Sequence, residues 1–80
     1  MTGNGPLERA VDAIRRAVAA NPRNAAYRSR LAGLLHRTGD LDGAIAEAEE
    51  AIRLTSPSED DPMRAFLDEL RRAKTSQSAG

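Results

Sequence analysis

Eighty residues place this chain near the lower limit at which one hydrophobic core offsets the entropy of ordering the backbone. Twelve acidic and twelve basic side chains cancel to a net charge of zero, which removes the broad attraction that drives binding to nucleic acid or anionic membranes. The absence of cysteine excludes a disulfide frame, a Cys-based zinc site and a thiol nucleophile, and 15 alanines among 32 apolar residues call for a thin core of closely packed helices.

The opening MTGNGP has neither the basic start nor the apolar run of a secretory signal. No apolar stretch approaches membrane-spanning length, so the cytoplasm is the default compartment. Residues 1–5 are polar and glycine-containing, and are expected to be flexible. Pro6 suits the first position of a helix, where its missing N–H costs nothing. Beyond it Leu7, Ala10, Val11, Ile14, Ala17 and Val18 fall on one stripe at helical spacing, with Glu8, Asp12, Arg15 and Arg16 opposite. Asn21-Pro22 stops this helix, because proline cannot continue it and disfavours helical geometry in the residue before it.

Asn24 is placed to cap a second helix running to about Arg37, with Tyr27, Leu31, Leu34 and Leu35 on one face. Gly39 ends it and Asp40 caps the third helix, about Leu41 to Leu54. That helix turns Leu41, Ala44, Ile45, Ala48, Ala51 and Ile52 inward, and Glu49 stands four residues before Arg53 as a surface pair. TSPSED reads as a turn, with Asp60 or Asp61 capping a fourth helix that has Pro62 in its first turn. Met63, Phe66, Leu67, Leu70 and Ala73 form its apolar stripe, and Arg64, Asp68, Arg71 and Arg72 its outer side. The expectation is an all-α domain of four antiparallel helices over residues 6–74, followed by a disordered tail at 75–80.

The chain also repeats itself. Gly5 to Asn24 recurs 34 residues later as Gly39 to Ser58, pairing Leu7 with Leu41, Ala10 with Ala44, Val11 with Ile45, Ala17 with Ala51 and Val18 with Ile52. A fixed period of this size marks a solenoid, whose units bury their apolar faces on neighbours. Leu31-Ala32, Leu35, the Gly39-Asp40 turn and the small residues Ala44, Ala48 and Ala51 together resemble a tetratricopeptide repeat over Ala25 to Ser58. Gly5 to Asn24 resembles the second helix of a preceding repeat, so the chain reads as one full repeat flanked by a half-repeat and a terminal capping helix. Two departures stand out. Arg28 occupies a position where the family carries a large aromatic or aliphatic residue, with Tyr27 beside it to take over that packing, and Ala48 replaces a bulky residue.

The resemblance implies a protein-interaction module, an adaptor or scaffold holding a partner segment in a concave groove lined by the first helix of each pair. At the matching positions that face presents Ala26, Ser29, Arg30, Gly33, His36 and Arg37, away from the Tyr27–Leu31–Leu34 stripe. Gly33 permits close approach of a ligand backbone, and Arg30 and Arg37 suit an acidic or C-terminal segment. The lysine–asparagine clamp by which some members grip a terminal carboxylate is not matched, since Ser29 and Gly33 stand at its positions.

A second reading is self-assembly. The first helix lacks the helix that would precede it in a full repeat, so Leu7, Val11, Ile14 and Arg15 form an edge open to a second copy, in a homodimer or a head-to-tail stack. Arg15 and Arg16 become Glu49 and Glu50 in the second copy of the repeat, an inversion that favours contact between unlike repeats. A third reading, a helix-turn-helix nucleic-acid binder, meets a third helix bearing Asp42, Glu47, Glu49 and Glu50 against Arg53 alone, which repels phosphate. His36 is the lone histidine, no phosphate loop is present and no motif activates a serine. A non-catalytic protein without metal or cofactor is the expectation.

Overall fold

The computed structural model describes the backbone of residues 5–79 and the side chains of residues 5–77. Four helices follow in order, α1 (Pro6–Ala20), α2 (Ala25–Thr38), α3 (Leu41–Thr55) and α4 (Pro62–Ala79). Residues 1–4, most of the segment expected to be flexible, lie outside the described residues, as does Gly80. The expected end of the fourth helix at Lys74 needs correction. The backbone stays helical to Ala79, and the Thr75 hydroxyl donates to the Arg71 carbonyl at 3.0 Å. The polar residues from Thr75 onward have no core to enter, but nothing in TSQSA breaks a helix, and the preceding turns supply the nucleus for its extension.

Each boundary has a local cause. The Asn21 amide donates to Ala17 and Pro22 prevents further winding. The Asn24 side chain accepts from the Tyr27 amide at 3.1 Å, and that of Asp40 accepts from the Gly43 amide at 2.9 Å. Gly39 closes α2 at φ 89°, which lets its own amide reach His36 and the Asp40 amide reach Leu35. Of the two candidate caps for α4, Asp61 is the one used, accepting from the Met63 amide at 2.8 Å.

The helices zigzag, α2 packing most extensively on α3 while α1 packs on α2 and α4 on α3. The result is a slab only 15 Å through the backbone in its thinnest direction. Two layers of helix fit that depth, given the usual 8–10 Å between packed helix axes. The core is built from Val18, Leu31, Ala32, Leu35, Leu41, Ala44, Ala48, Leu67 and Leu70, with Tyr27 and Phe66 partly buried against it. Ala32, Ala44 and Ala48 are fully enclosed. Ala48, which stands where the family carries a bulky residue, is thus enclosed despite its small side chain, and alanine at these positions leaves α2 and α3 free to pack closely.

Arginine joins what the thin core does not. Arg28 donates from Nε to the Pro22 carbonyl at 2.9 Å and from Nη1 to Glu47 of α3 at 3.0 Å. Arg64 does the same for the longer turn before α4, donating from Nε and Nη2 to the Pro57 carbonyl at 3.0 and 2.8 Å. Arg64 is therefore half-buried and structural, not part of the outer face on which its sequence position put it. The expected Glu49–Arg53 pair is also replaced. Arg53 turns to Glu50, three residues away, while Glu49 reaches Arg71 of α4 at 2.7 Å and Asp42 pairs with Lys74 at 2.5 Å.

Candidate partner-binding surface

Helix α2 is covered by α1 on one side and α3 on another, and its remaining face carries the six residues singled out from the sequence. Ala26, Arg30, His36 and Arg37 are exposed, and Ser29 and Gly33 are half-buried. The space above Gly33 is open, since a Cβ built there meets no atom within 4 Å.

Five of these six residues divide between two borders, with Gly33 between them. Ala26 and Ser29, with Ala25, line a hollow of about 430 Å³ whose far wall is Met63 of α4, its cap Asp61 and Pro57 of the turn before it. Further along the same border His36 meets the Phe66 ring edge-on, with centroids 5.7 Å apart. Arg37 belongs to the opposite border, next to Pro6, Leu7 and Ala10 of α1. Helical rotation puts Arg30 on that side as well. The surface thus runs from an apolar and aromatic border towards α4, across the open space above Gly33, to a cationic border towards α1.

Sequence reasoning missed the α4 wall. The sequence places Met63 and Phe66 on the apolar stripe of α4, yet both are only partly buried, Met63 lining the hollow beside Ala26 and Phe66 meeting His36. Their place on the apolar stripe of α4 was legible, but that this stripe would also border the open face of α2 was not.

Charge is segregated between helices. No acidic residue lies in α2, whereas α3 holds Asp42, Glu47, Glu49 and Glu50. Each of those four acids has a cationic partner in Arg28, Arg53, Arg71 or Lys74. Hydrogen bonding from Arg53 is the main reason the Glu50 carboxyl is held below its ordinary value of 4.5, and Arg53 is raised in return. Arg30 and Arg37 form no ion pair among the described residues, and neither does Arg15. Among the described residues there is no group of three or more side chains able to hold a metal ion. Among the described residues no helix is long and apolar enough to cross a membrane.

A family profile for the tetratricopeptide repeat matches residues 3–59, which takes in α1, α2 and α3. This chain belongs to the tetratricopeptide repeat family. No curated protein and no solved structure matches it. Tetratricopeptide repeats mediate protein–protein interaction and are typically non-catalytic, so the coarse class of function follows from membership. Helix α4 lies beyond the matched residues and is tied to the repeat by its own packing, with Leu67 and Leu70 buried against it.

Proposed function

We propose that this tetratricopeptide repeat protein binds an acidic, extended segment of a partner protein along the open face of α2. The observation that carries the reading is the pair of unpartnered arginines on a helix with no acid of its own. Arg30 and Arg37 are seven residues apart, so their backbone positions are separated by about 10 Å, the length of about three residues of extended chain. A ligand in the extended polyproline II conformation, which turns once every three residues, presents acidic side chains three positions apart on one side to both guanidinium groups, and Gly33 between them leaves room for its backbone. On the other wall Met63, Phe66 and His36 suit an apolar side chain of the same segment.

The test is fluorescence anisotropy with labelled peptides that hold two glutamates at that spacing and a neighbouring leucine, compared with peptides in which lysine replaces glutamate. Binding is expected for the glutamate peptides, weakening as salt rises. Arg30→Glu with Arg37→Glu is expected to reduce affinity by about tenfold or more, equivalent to about 1.4 kcal/mol or more. Equal binding of the lysine peptides, or affinity unchanged by the double reversal, overturns the reading.

A further inference from the structure

We infer that the open face of α2, when no ligand occupies it, is closed by the same face of a second copy, in a two-fold homodimer whose axis runs parallel to α2. The inference rests on the reading that Arg30 and Arg37 take acidic groups, and it finds such groups on this chain itself. They stand on the α4 border of the same face. Asp61 lines the hollow beside Ala26 and Ser29, and only one of its carboxylate oxygens is engaged, by the Met63 amide. Glu69 is exposed and follows Phe66 by three residues, which puts it on the same side of α4, nearer to solvent. Neither acid forms an ion pair among the described residues.

Direction and spacing agree. Helices α2 and α4 run the same way, since their starts meet at the hollow, where Ala25 and Ala26 face Met63, and Phe66 lies further along beside His36. Arg30 and Arg37 are about 10 Å apart along α2, and Asp61 and Glu69, eight residues apart, are about 12 Å apart along α4. The two spacings differ by about one residue's rise, 1.5 Å, which a flexible arginine side chain absorbs. Asp61 is level with Ser29, hence with Arg30, and Glu69 lies less than one turn beyond Phe66, which is level with His36 and so with Arg37. Rotation about an axis parallel to α2 keeps each residue at its own level and exchanges the two borders. Asp61 then lies over Arg30 of the second copy and Glu69 over its Arg37, twice by symmetry. An axis in the same plane but across α2 sets acid over acid and arginine over arginine, so charge selects the first arrangement.

The middle of the face permits the approach. Gly33 lies between the borders with no atom within 4 Å of the place its Cβ would take, and Ala26 stands two turns before it on nearly the same line. Closure brings these small residues of the two copies together and covers Met63 and Phe66, which the chain alone leaves partly buried. An acidic segment of another protein competes for the same two guanidinium groups, so self-closure raises the concentration of that ligand needed for binding.

Sedimentation velocity of the full chain from low to high micromolar concentration tests this, with charge reversals at one pair. Arg37 and Glu69 are both exposed, so each can be reversed with the monomer fold intact. The wild type is expected to dimerise with rising concentration, and Arg37→Glu and Glu69→Arg each to dimerise at least about tenfold more weakly. Combining the two reversals in one chain restores the contact with its signs exchanged, and is expected to recover dimerisation. The glutamate peptide is expected to dissociate the wild-type dimer. A wild type that stays monomeric, a single reversal without effect, a combined variant no stronger than the single ones, or a peptide that binds without dissociating the dimer overturns the inference. Glu69→Arg keeps both arginines of the ligand site, so its binding of the glutamate peptide tests the acidic-ligand reading by itself. Peptide binding beside a monomeric wild type removes the dimer and leaves that reading standing, whereas no peptide binding beside a dimer recovered by the combined variant counts against the extended ligand and leaves the dimer.

Discussion

Replacing Arg28 by alanine leaves Glu47 and the Pro22 carbonyl without their shared donor, and the size of the loss follows from how well that pair is shielded. The two side chains retain only 18 and 21% of their exposure at a separation of 3.0 Å. Exposed pairs contribute about 0 to 1 kcal/mol, and breaking a fully buried one costs about 3 to 5 kcal/mol. An intermediate cost of about 2 kcal/mol is therefore expected for stranding Glu47, with about 0.5 to 1 kcal/mol more for the lost bond to the turn. For a domain of this size, 1 kcal/mol corresponds to about 4–8 °C, so Arg28→Ala should lower Tm by about 10–20 °C. Glu47→Ala alone should cost less, about 1 kcal/mol, because the long Arg28 side chain can turn its head towards water. Arg28→Leu combined with Glu47→Ala should recover wild-type stability or exceed it, since an apolar contact replaces a half-buried charge pair. Urea unfolding followed by circular dichroism of the two alanine variants and their combination gives the coupling energy directly. A coupling below about 0.5 kcal/mol would refute the idea that Arg28 and Glu47 clamp α2 to α3.

Gly39→Ala should destabilise by about 1 kcal/mol in the same assay, purely through its left-handed backbone, because no atom crowds the position; Ser56→Gly, at φ 46°, should stabilise by about 0.5–1 kcal/mol. Leu70→Ala removes a side chain that is 1% exposed and should cost about 3 kcal/mol, with amide exchange accelerating first in α4. Glu50 is a depressed carboxyl, so its contribution is present above the unfolded value near 4.5 and is lost as pH falls through the lowered folded value. Glu50→Gln should therefore reduce stability slightly at neutral pH and not at all in strong acid, and added salt should erase the difference because the pair is exposed.

Much of this architecture was legible because the signals are local and redundant. The caps Asn24 and Asp40, the stop at Pro22 and the glycine at 39 each carry a backbone requirement that few other residues meet, and the 34-residue echo fixed which helices correspond. What escaped was the partner choice of long side chains. Glu49 had an eligible arginine four residues on, yet it reaches across to Arg71, because only the packing of α4 on α3 brings that guanidinium near. Arg28 and Arg64 were read as a misfit and a surface residue, although each precedes by a fixed logic: an arginine early in a helix can fold back on the proline carbonyl of the turn before it. The division of the α2 face into two borders was likewise hidden, since periodicity orders residues around one helix and says nothing of how neighbouring helices tilt.

The distribution of charge connects the fold to the binding surface. A core rich in alanine buries little apolar area, and in this chain the deficit is met by arginines and a lysine that reach from α2 and α4 to the acids of α3. Those acids all lie in one helix, on the side of α2 that carries Arg28. Arg30 and Arg37 project from the other side of α2, roughly a third of a turn away from its buried stripe, where α3 does not reach. The same helix is thus cationic on both sides, but only one side finds its counter-charge among the described residues. Supplying acids for Arg30 and Arg37 from α1 would mean a carboxylate where Ala10 or Ile14 stands, in the stripe that the repeat keeps apolar. The neutral composition therefore conceals two unpaired cations on one face of α2, the charge that the proposed acidic ligand would neutralise.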